Sequence, residues 1–580
     1  MSDLLNGDTN IPDEKNHPEI RPTLDQMTRV SWAQVTGGLS PVSLINTFQD
    51  WALHLAASPT KQMKLVEKAT LNMMHMTNYM LRGGLDDTTE AHKGADGRFA
   101  GEAWRDKPFD IMAEAFIQAE DWWQEATNDI PGLSDADEKA ISFLSRQVLD
   151  AMSPSNMFWT NPEVLEATAA EGGANLTRGL HHYTQDQMRH MGKVQETEAE
   201  TFILGQDLAA TPGKVVFRNH LIELIRYTPT TDLVKAEPIL ITPAWIMKYY
   251  ILDLRPENSM VKFLVEQGFT VFMISWRNPD ATDRDLTMED YLFHGPIAAM
   301  EEVLKQTKSN SLHAAGYCLG GTLLSVAAAY LAREGKDVLK SLSLFTAQTD
   351  FTEAGELNLF INESQLAFLE DIMNRDGYLS GKQMSGAFQM LRSNDLVWSQ
   401  QRERYLMGRD TTENDLMFWN ADQTRMPARM HSEYLRKLFL HNDLASNRYD
   451  VQGHPISLRD IRCPIFAVGT ERDQVAPWKS AFKIHHLTHS DVTFVLTKGG
   501  HNAGIVSEPG HPRRSYQVRT LLDQDPAVPV QEWAEGATFK EGSWWLEWGD
   551  WVAEKSPDEI TPPKMGMSLC DAPGTYIFQK

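Results

Sequence analysis

The chain has 580 residues, and its formal net charge is −25. This length exceeds one compact hydrophobic core and predicts two units. The acidic charge argues against a protein built around nucleic acid, which needs a basic face to release counterions. The chain has three cysteines, too few for a disulfide framework, so a reducing compartment is indicated.

The first 22 residues are polar and acidic, and they lack the apolar stretch of a secretory signal. Their low apolar content cannot offset the entropy of ordering, so we expect a disordered leader over residues 1–22. No run of about 18 apolar residues occurs in the chain, and we therefore expect no transmembrane segment. These features favour a cytoplasmic protein.

Residues 23–200 have a helical pattern and are predicted to form a helical N-terminal domain. Within 62–81, apolar side chains recur at spacings of three and four, as on one stripe of an amphipathic helix. Such a stripe ordinarily packs within a bundle, and docking onto a partner or an apolar surface is the alternative. Two further helices are predicted over 103–125 and 136–152, the second ending at Ser153-Pro154.

Beyond residue 213, short runs of apolar residues alternate with helical segments. The runs are largely apolar on both faces, which is typical of buried parallel strands. Strands that alternate with helices predict an α/β domain over 201–580, with a mostly parallel sheet covered on both faces. Strands are predicted over 238–241, 270–274, 312–315, 342–345, 465–468 and 492–496, and helices over 259–267 and 322–334.

The alternation of strands and helices stops at about residue 351 and resumes after about residue 450. This interval has a mostly helical pattern and is rich in Met, Leu and Trp. Long insertions between strands commonly lie over an active site. We therefore predict a largely helical cap over residues 351–450.

The segment Gly316-Tyr317-Cys318-Leu319-Gly320 stands between a predicted strand and a predicted helix. This is the context of a nucleophile elbow, a strained turn that presents its central residue and requires small residues two positions away on each side. Gly316 and Gly320 meet that requirement, which makes Cys318 the candidate nucleophile. The alternative is an inert buried cysteine in an ordinary glycine turn.

An acid and a histidine follow Cys318 in the chain order that an α/β-hydrolase fold requires. The strand predicted over 465–468 leads into Asp473, and a later strand leads into His501. In this arrangement Asp473 orients His501, and His501 deprotonates Cys318 to a thiolate. Glu471 is the rival acid, but Asp473 is favoured because it lies further beyond the end of the strand.

The oxyanion hole of this fold combines two backbone N–H groups. One is expected from Leu319, directly after the nucleophile. The other is expected from the loop 242–246, which follows the first strand of the core, and Ala244 or Trp245 is the predicted donor. The predicted site thus consists of three side chains, those of Cys318, Asp473 and His501, and two backbone N–H groups.

Sulfur at position 318 indicates thioester chemistry. Attack of a thiolate on a coenzyme A thioester exchanges one thioester for another at almost no cost in free energy. The acyl group stays activated, whereas a serine would hold it as a more stable ester that favours eventual hydrolysis. The pattern therefore predicts an acyltransferase whose acceptor is not water.

Long strings of this sequence resemble the class I polyhydroxyalkanoate synthases, from about residue 98 to the C-terminus. The resemblance implies an α/β-hydrolase fold and an enzyme that polymerises (R)-3-hydroxyacyl-coenzyme A into polyester, releasing coenzyme A. It implies no cofactor and no metal, since coenzyme A is part of the substrate and product, and a cytoplasmic location at the surface of storage granules. The strings are 150–156, 248–254, 275–280, 316–321, 418–422 and 542–545.

Carried over position by position, the resemblance makes Cys318 the attachment point of the growing polyester chain and His501 the general base. Asp473 matches the family's third catalytic residue, which implies help in activating the 3-hydroxyl of the incoming monomer, beyond orienting the imidazole. Chain length and the Trp-rich C-terminal segment ending at 572–576 resemble the short-chain synthases. A monomer such as 3-hydroxybutyryl-coenzyme A is therefore expected.

The resemblance also implies a homodimer. In this family the region matching 23–200 is linked to dimerisation, granule association and activity, and the cap to a dimer contact and a gate over the nucleophile. Trp419, in the cap, belongs to that contact or is an ordinary core tryptophan. Three positions depart from the family pattern: Ala244 and Met247 in the oxyanion loop, and Gln474 where a histidine often follows the acid.

Two other functions are compatible with part of the pattern. A Cys-dependent α/β hydrolase or thioesterase would release free hydroxy acid to water, and it would leave the N-terminal helices and the cap without a role. A non-catalytic granule-binding protein would have no need of Cys318, Asp473 and His501 together.

Overall fold

A computed structural model describes residues 24, 28, 29, 32, 36, 38–81, 96–190, 202–381, 383, 384, 397–410 and 414–580. The leader expected over 1–22 lies outside the described residues. Within the described part of the chain, no helix is both long enough and apolar enough to span a membrane.

In the N-terminal region, the described residues 38–81 and 96–190 are mostly helical. Ser40 and Ser134 each cap a helix, because their side chains accept a hydrogen bond from the backbone N–H three residues later. The helix predicted from residue 103 begins only at Phe109, since Pro108 drives the residue before it out of the helical region. The helices are α1 Pro41–Ala56, α2 Pro59–Leu81, α3 Phe109–Thr127, α4 Asp135–Met152, α5 Pro162–Ala170 and α6 Ala174–His190.

Helix α2 packs on α3 through a mixed face. Two residues of the stripe predicted over 62–81, Leu65 and Tyr79, are buried there, whereas Val66 and Met73 are 67% and 71% exposed. The bundle interpretation therefore holds for one side of the stripe only, and polar pairs between the two helices complete the contact. The pairs are Lys61–Glu125, Lys68–Asp121, His75–Glu114 and Asn72 with the Gln118 carbonyl.

The N-terminal region docks on two stretches of the insertion, residues 356–371 and 397–410. At one contact the backbone N–H of Ser40 donates to the Gln365 side chain at 2.7 Å. At a second contact, α6 lies directly on the chain segment 397–410. A Cβ at Gly179 would stand 1.8 Å from the Tyr405 carbonyl oxygen, so the two backbones touch there. The N-terminal helices are thus coupled to the insertion.

An 11-stranded sheet forms the centre of the chain. Its six middle strands are parallel, and they are the six that the apolar runs predict. The other five pair antiparallel at the two edges, where the sequence lacks a continuous apolar run. In sheet order the strands are β15 Thr538–Glu541, β14 Ser515–Leu521, β13 Val492–Thr497, β12 Ile465–Thr470, β7 Leu339–Phe345, β6 Leu312–Tyr317, β4 Ile239–Thr242, β5 Val271–Trp276, β2 Ile222–Tyr227, β1 Gly213–Arg218 and β17 Cys570–Asp571.

Helices cover the sheet, and the one that follows β6 is buried along nearly its whole length. Strands β4, β5, β6, β12 and β13 bury every residue, so the core lies between sheet and helices. These helices are α7 Met260–Glu266, α8 Met288–Leu292, α9 Ala298–Thr307, α10 Leu319–Arg333, α15 Trp478–Phe482, α16 Ile484–Leu487, α17 Val530–Gly536 and α18 Trp544–Lys555. Two-residue strands are β3 Val234–Lys235, β8 Tyr378–Leu379, β9 Met426–Pro427, β10 Asp450–Val451, β11 His454–Pro455 and β16 Glu559–Ile560.

The cap, residues 351–450, leaves the chain between β7 and β12. Those two strands are neighbours in the sheet, so the insertion does not disturb the strand order. The described residues of the cap are largely helical, as predicted, and β8 pairs with β9 among them. Its α-helices in the described residues are α11 Glu363–Asp376, α12 Ser399–Gln401, α13 Asp415–Ala421 and α14 Ala428–Tyr434.

Candidate active site

Cys318 stands in the turn between β6 and α10. Its backbone has φ +52° and ψ −126°, a conformation that L residues rarely adopt and that costs about 1–3 kcal/mol. Its N–H donates to the Phe345 carbonyl of the neighbouring strand at 2.8 Å. The residue is 9% exposed. This strained turn holds the thiol at the C-terminal edge of the parallel strands, where α/β enzymes carry their sites.

The small residues of the elbow have a direct steric cause. A Cβ on Gly316 would lie 2.4 Å from the Cα of Gly321. A Cβ on Gly320 would lie 2.2 Å from the Thr242 carbonyl oxygen. Real Cβ atoms do not approach that closely, so either side chain would force β6, α10 and the loop after β4 apart.

Asp473 and His501 lie on loops at the ends of the adjacent parallel strands β12 and β13. The His501 Nδ1 and Asp473 Oδ2 atoms are 2.8 Å apart. The other carboxylate oxygen accepts the N–H groups of Val475 and Ala476 at 2.9 and 2.8 Å, and the Asp473 side chain is fully buried. Glu471, the rival acid, is exposed. The carboxylate that meets His501 is therefore that of Asp473.

The imidazole of His501 is surrounded by groups that favour its protonation. Burial by itself would lower the pKa of His501, but the charges of Asp473 and Cys318, and hydrogen bonds to both, raise that pKa well above its usual value. A protonated imidazole beside the sulfur stabilises a thiolate. The side chains of Cys318, His501 and Asp473 thus lie together at one site.

Tyr317 is a supporting residue that the sequence reasoning missed. Its hydroxyl donates to Asn502 Oδ1 at 2.6 Å, and its ring centroid lies 5.7 Å from that of His501. The hydrogen bond ties β6 to the histidine loop. Its position within the elbow string was the available signal, because the residue before a nucleophile shares the same strand end.

The expected oxyanion donors lie around Gly320. Leu319 is the first residue of α10, so its N–H has no acceptor within the helix. The Pro243 carbonyl, in the facing loop, accepts the Trp276 indole N–H at 2.9 Å. The Trp245 carbonyl accepts the hydroxyl of Thr424, a cap residue, at 2.6 Å. Cap and core therefore meet at the loop that contains Ala244 and Trp245.

The three departures from the family pattern occupy different environments. Ala244 and Met247 are buried, and Met247 forms a β-bridge with Gln423 of the cap. Gln474 has an exposed side chain, and Gly355 packs against its carbonyl oxygen. Of the three positions, only Ala244 and Met247 are therefore buried.

Trp419 is buried inside the chain, and it donates its indole N–H to the Lys248 carbonyl at 2.8 Å. It therefore has the environment of a core tryptophan. The ammonium of Lys248 donates to the carbonyls of Tyr576 and Gln579 at 3.1 and 2.8 Å. Burial lowers the pKa of Lys248 to about 8, and the charge of Asp422 opposes that shift. These hydrogen bonds connect the C-terminal residues to Lys248, just after the loop 242–246.

The described residues include no cluster of three or more His, Cys, Asp or Glu side chains that could hold a metal ion. The three cysteines are free thiols. The groups that the site presents are a thiol, an imidazole and a carboxylate, together with backbone N–H donors.

Three family models match the chain. Residues 95–264 match "Poly-beta-hydroxybutyrate polymerase (PhaC) N-terminus", and residues 19–61 match "Poly-beta-hydroxybutyrate polymerase N terminal". Residues 237–508 match "alpha/beta hydrolase fold". This last match and the parallel strand order confirm the predicted fold class.

Curated relatives extend the similarity to most of the chain. A poly(3-hydroxyalkanoate) polymerase of Methylorubrum extorquens is 40% identical over 508 residues, which cover 86% of this chain and 83% of that one. A subunit of such a polymerase from Rhizobium meliloti is 38% identical over 488 residues, which cover 83% of this chain and 79% of that one. One from Cupriavidus necator is 35% identical, with coverage of 86% and 85%.

Proposed function

The chain belongs to the poly(3-hydroxyalkanoate) polymerase family, and we propose that it joins short-chain (R)-3-hydroxyacyl groups, such as 3-hydroxybutyryl, through a thioester on Cys318. The observation that carries this proposal is Cys318 at a strained elbow together with the hydrogen-bonded pair of His501 and Asp473, in an acyltransferase family. Sulfur as nucleophile accounts for an acyl group that stays activated for transfer.

The first step is acylation of Cys318. His501 takes the thiol proton, and the thiolate attacks the thioester carbonyl of the hydroxyacyl-coenzyme A. Collapse of the tetrahedral intermediate forms the new C–S bond to Cys318 and breaks the C–S bond to coenzyme A. The departing coenzyme A thiolate takes the proton from His501 and leaves as a free thiol.

The second step is ester formation. The 3-hydroxyl oxygen of another hydroxyacyl-coenzyme A attacks the acyl carbonyl on Cys318 and passes its proton to His501. An ester bond forms, the C–S bond to Cys318 breaks, and the thiolate regains the proton. The elongated acyl-coenzyme A then reacylates Cys318, so each cycle adds one monomer and releases one coenzyme A.

The role of Asp473 is to orient His501 and to stabilise the positive charge of its protonated imidazole. Its carboxylate is fully buried, and both oxygens have partners: His501 on one and the N–H groups of Val475 and Ala476 on the other. An incoming 3-hydroxyl would have to displace one of these partners to reach it. This geometry favours the orienting role over direct activation of the monomer.

The assay that tests the function follows coenzyme A release and polyester together, with 3-hydroxybutyryl-coenzyme A as substrate. We expect released thiol to match monomer units recovered as insoluble polyester. Soluble 3-hydroxybutyrate in place of polyester would establish the thioesterase alternative. Comparison with substrates of six to ten carbons, which we expect to react more slowly, tests the short-chain assignment.

We further propose that the enzyme works at the surface of its polyester product through an exposed face of α2, here called the methionine face. It consists of Met63, Val66, Leu71, Met73, Met74, Met80 and Leu81, which are 49–80% exposed. An apolar face of this kind marks an interaction site, and flexible methionines adapt to irregular apolar surfaces.

Replacing Met63, Val66, Met73 and Met74 of the methionine face by Gln should weaken binding to purified polyester particles about tenfold or more. Glutamine keeps the helical propensity but removes apolar contact area, and 1.4 kcal/mol is a factor of ten in affinity. Co-sedimentation measures the bound fraction. The matched control changes four exposed polar residues of the same helix, Lys64, Glu67, Thr70 and Thr77, to Gln; equal binding by both variants would contradict the assignment.

A further inference from the structure

Tyr434, the last residue of α14, is held rigidly on the underside of the cap. It is buried, and its ring packs edge-on against Trp245 and Phe439 at centroid distances of 6.0 and 5.4 Å. The His431 ring lies 5.9 Å away on the same helix. Aromatic neighbours on three sides leave the ring little rotational freedom.

This tyrosine stands next to the nucleophile elbow. Trp245 belongs to the loop after β4, and the Thr242 and Pro243 carbonyls of that loop abut Gly320, two residues from Cys318. Burial raises the pKa of Tyr434 well above its usual value, and the charge of Cys318 raises it further. The phenol of Tyr434 therefore keeps its proton and can donate a hydrogen bond.

The Tyr434 hydroxyl makes no hydrogen bond with any other residue that the structure describes. Two of its ring neighbours carry buried nitrogen atoms without partners among the described residues, Trp245 Nε1 and His431 Nδ1. Buried polar groups are nearly always satisfied, so unpartnered ones beside a nucleophile point to a ligand atom that completes them.

The chemistry at Cys318 requires such a donor. Both proposed steps pass through a tetrahedral intermediate whose oxygen carries negative charge, and donors aimed at that oxygen lower the barrier. Leu319 supplies one N–H from the core side, whereas Pro243 has none to give. The facing loop presents the Thr242 and Pro243 carbonyls to Gly320, and carbonyls are acceptors.

We propose that the Tyr434 hydroxyl donates a hydrogen bond to the acyl carbonyl oxygen of the substrate on Cys318, as a donor from the cap that complements the Leu319 N–H. This inference rests on the proposed function, because it assigns the acyl group to Cys318. It adds a side-chain donor to the two backbone donors expected from Leu319 and from Ala244 or Trp245.

The test is Tyr434→Phe, which keeps the ring and its packing but removes the donor. We expect single-turnover acylation of Cys318 by 3-hydroxybutyryl-coenzyme A, followed by mass spectrometry, to slow by about 10- to 100-fold, with KM changed less than about twofold. Alkylation of Cys318 by iodoacetamide should keep its rate, because that reaction forms no oxyanion. The matched control is Tyr449→Phe, a buried cap tyrosine whose raised pKa involves other charges, and it should acylate normally.

Each result of this experiment decides the proposal. Normal acylation by Tyr434→Phe overturns it, and so does slower alkylation, which would reveal displacement of Cys318 or His501. Slow acylation with normal alkylation supports it. If the unmodified enzyme acylates Cys318 but makes no polyester, the proposed polymerase function is wrong. The acylation rate of Tyr434→Phe relative to the unmodified enzyme still tests the role of the tyrosine.

Discussion

Cys318→Ser should lower the rate of polyester formation by at least about 10³-fold, and Cys318→Ala should abolish acyl transfer. An alkoxide is far harder to form than a thiolate, and an acyl group on serine becomes a stable ester that reacts poorly with a monomer hydroxyl. The measurement is coenzyme A release together with insoluble polyester from 3-hydroxybutyryl-coenzyme A.

The other two cysteines supply the matched controls. Burial raises the pKa of Cys463 to about 12, and burial and nearby carboxylates raise that of Cys570, so neither thiol is activated. Cys463→Ser and Cys570→Ser should therefore keep near-normal rates. Thiol release that persists in Cys318→Ala, or polymerisation at a near-normal rate in Cys318→Ser, would remove Cys318 as nucleophile.

Asp473→Asn should lower the polymerisation rate by about 10²- to 10⁴-fold, and it should lower the pKa of His501. Asp473 is the charge that most raises the pKa of His501. Without it the imidazole loses its proton at lower pH. The pH dependence of the acylation rate measures this shift of the His501 pKa.

The same variant separates the two roles considered for Asp473. Because the carboxylate is enclosed by His501, Val475 and Ala476, we expect acylation and elongation to lose rate by similar factors. A loss confined to elongation would instead show direct action on the monomer hydroxyl. Glu471→Gln is the control, and a loss there equal to that of Asp473→Asn would contradict the assignment of the acid.

The parallel strands were predictable because each is buried on both faces and reads as a continuous apolar run. The run 465–468 became β12, and the elbow followed β6 as its glycines require. The antiparallel edge strands were missed for the same reason. Strand β14, for example, alternates buried and half-exposed residues, and β15 is exposed throughout, so neither carries a continuous apolar signal.

The apolar stripe of α2 shows where periodicity alone misleads. Spacing locates the apolar face of a helix, but it does not say which face finds a partner. Leu65 and Tyr79 are buried beside ion pairs such as Lys61–Glu125, and the apolar residues Val66 and Met73 remain exposed. Only the partner helix decides between the two faces.

The tight turn around Cys318, the chain order of the candidate acid and histidine, and the choice of sulfur could be read from the amino-acid sequence, because each depends on local backbone sterics or on residue type. Which acid meets His501, which loop faces Gly320, and where Tyr434 of the cap packs became clear only from the folded chain. Those relations join residues that are far apart in the chain. Their distances are set by packing between separate elements, which local sequence patterns do not describe.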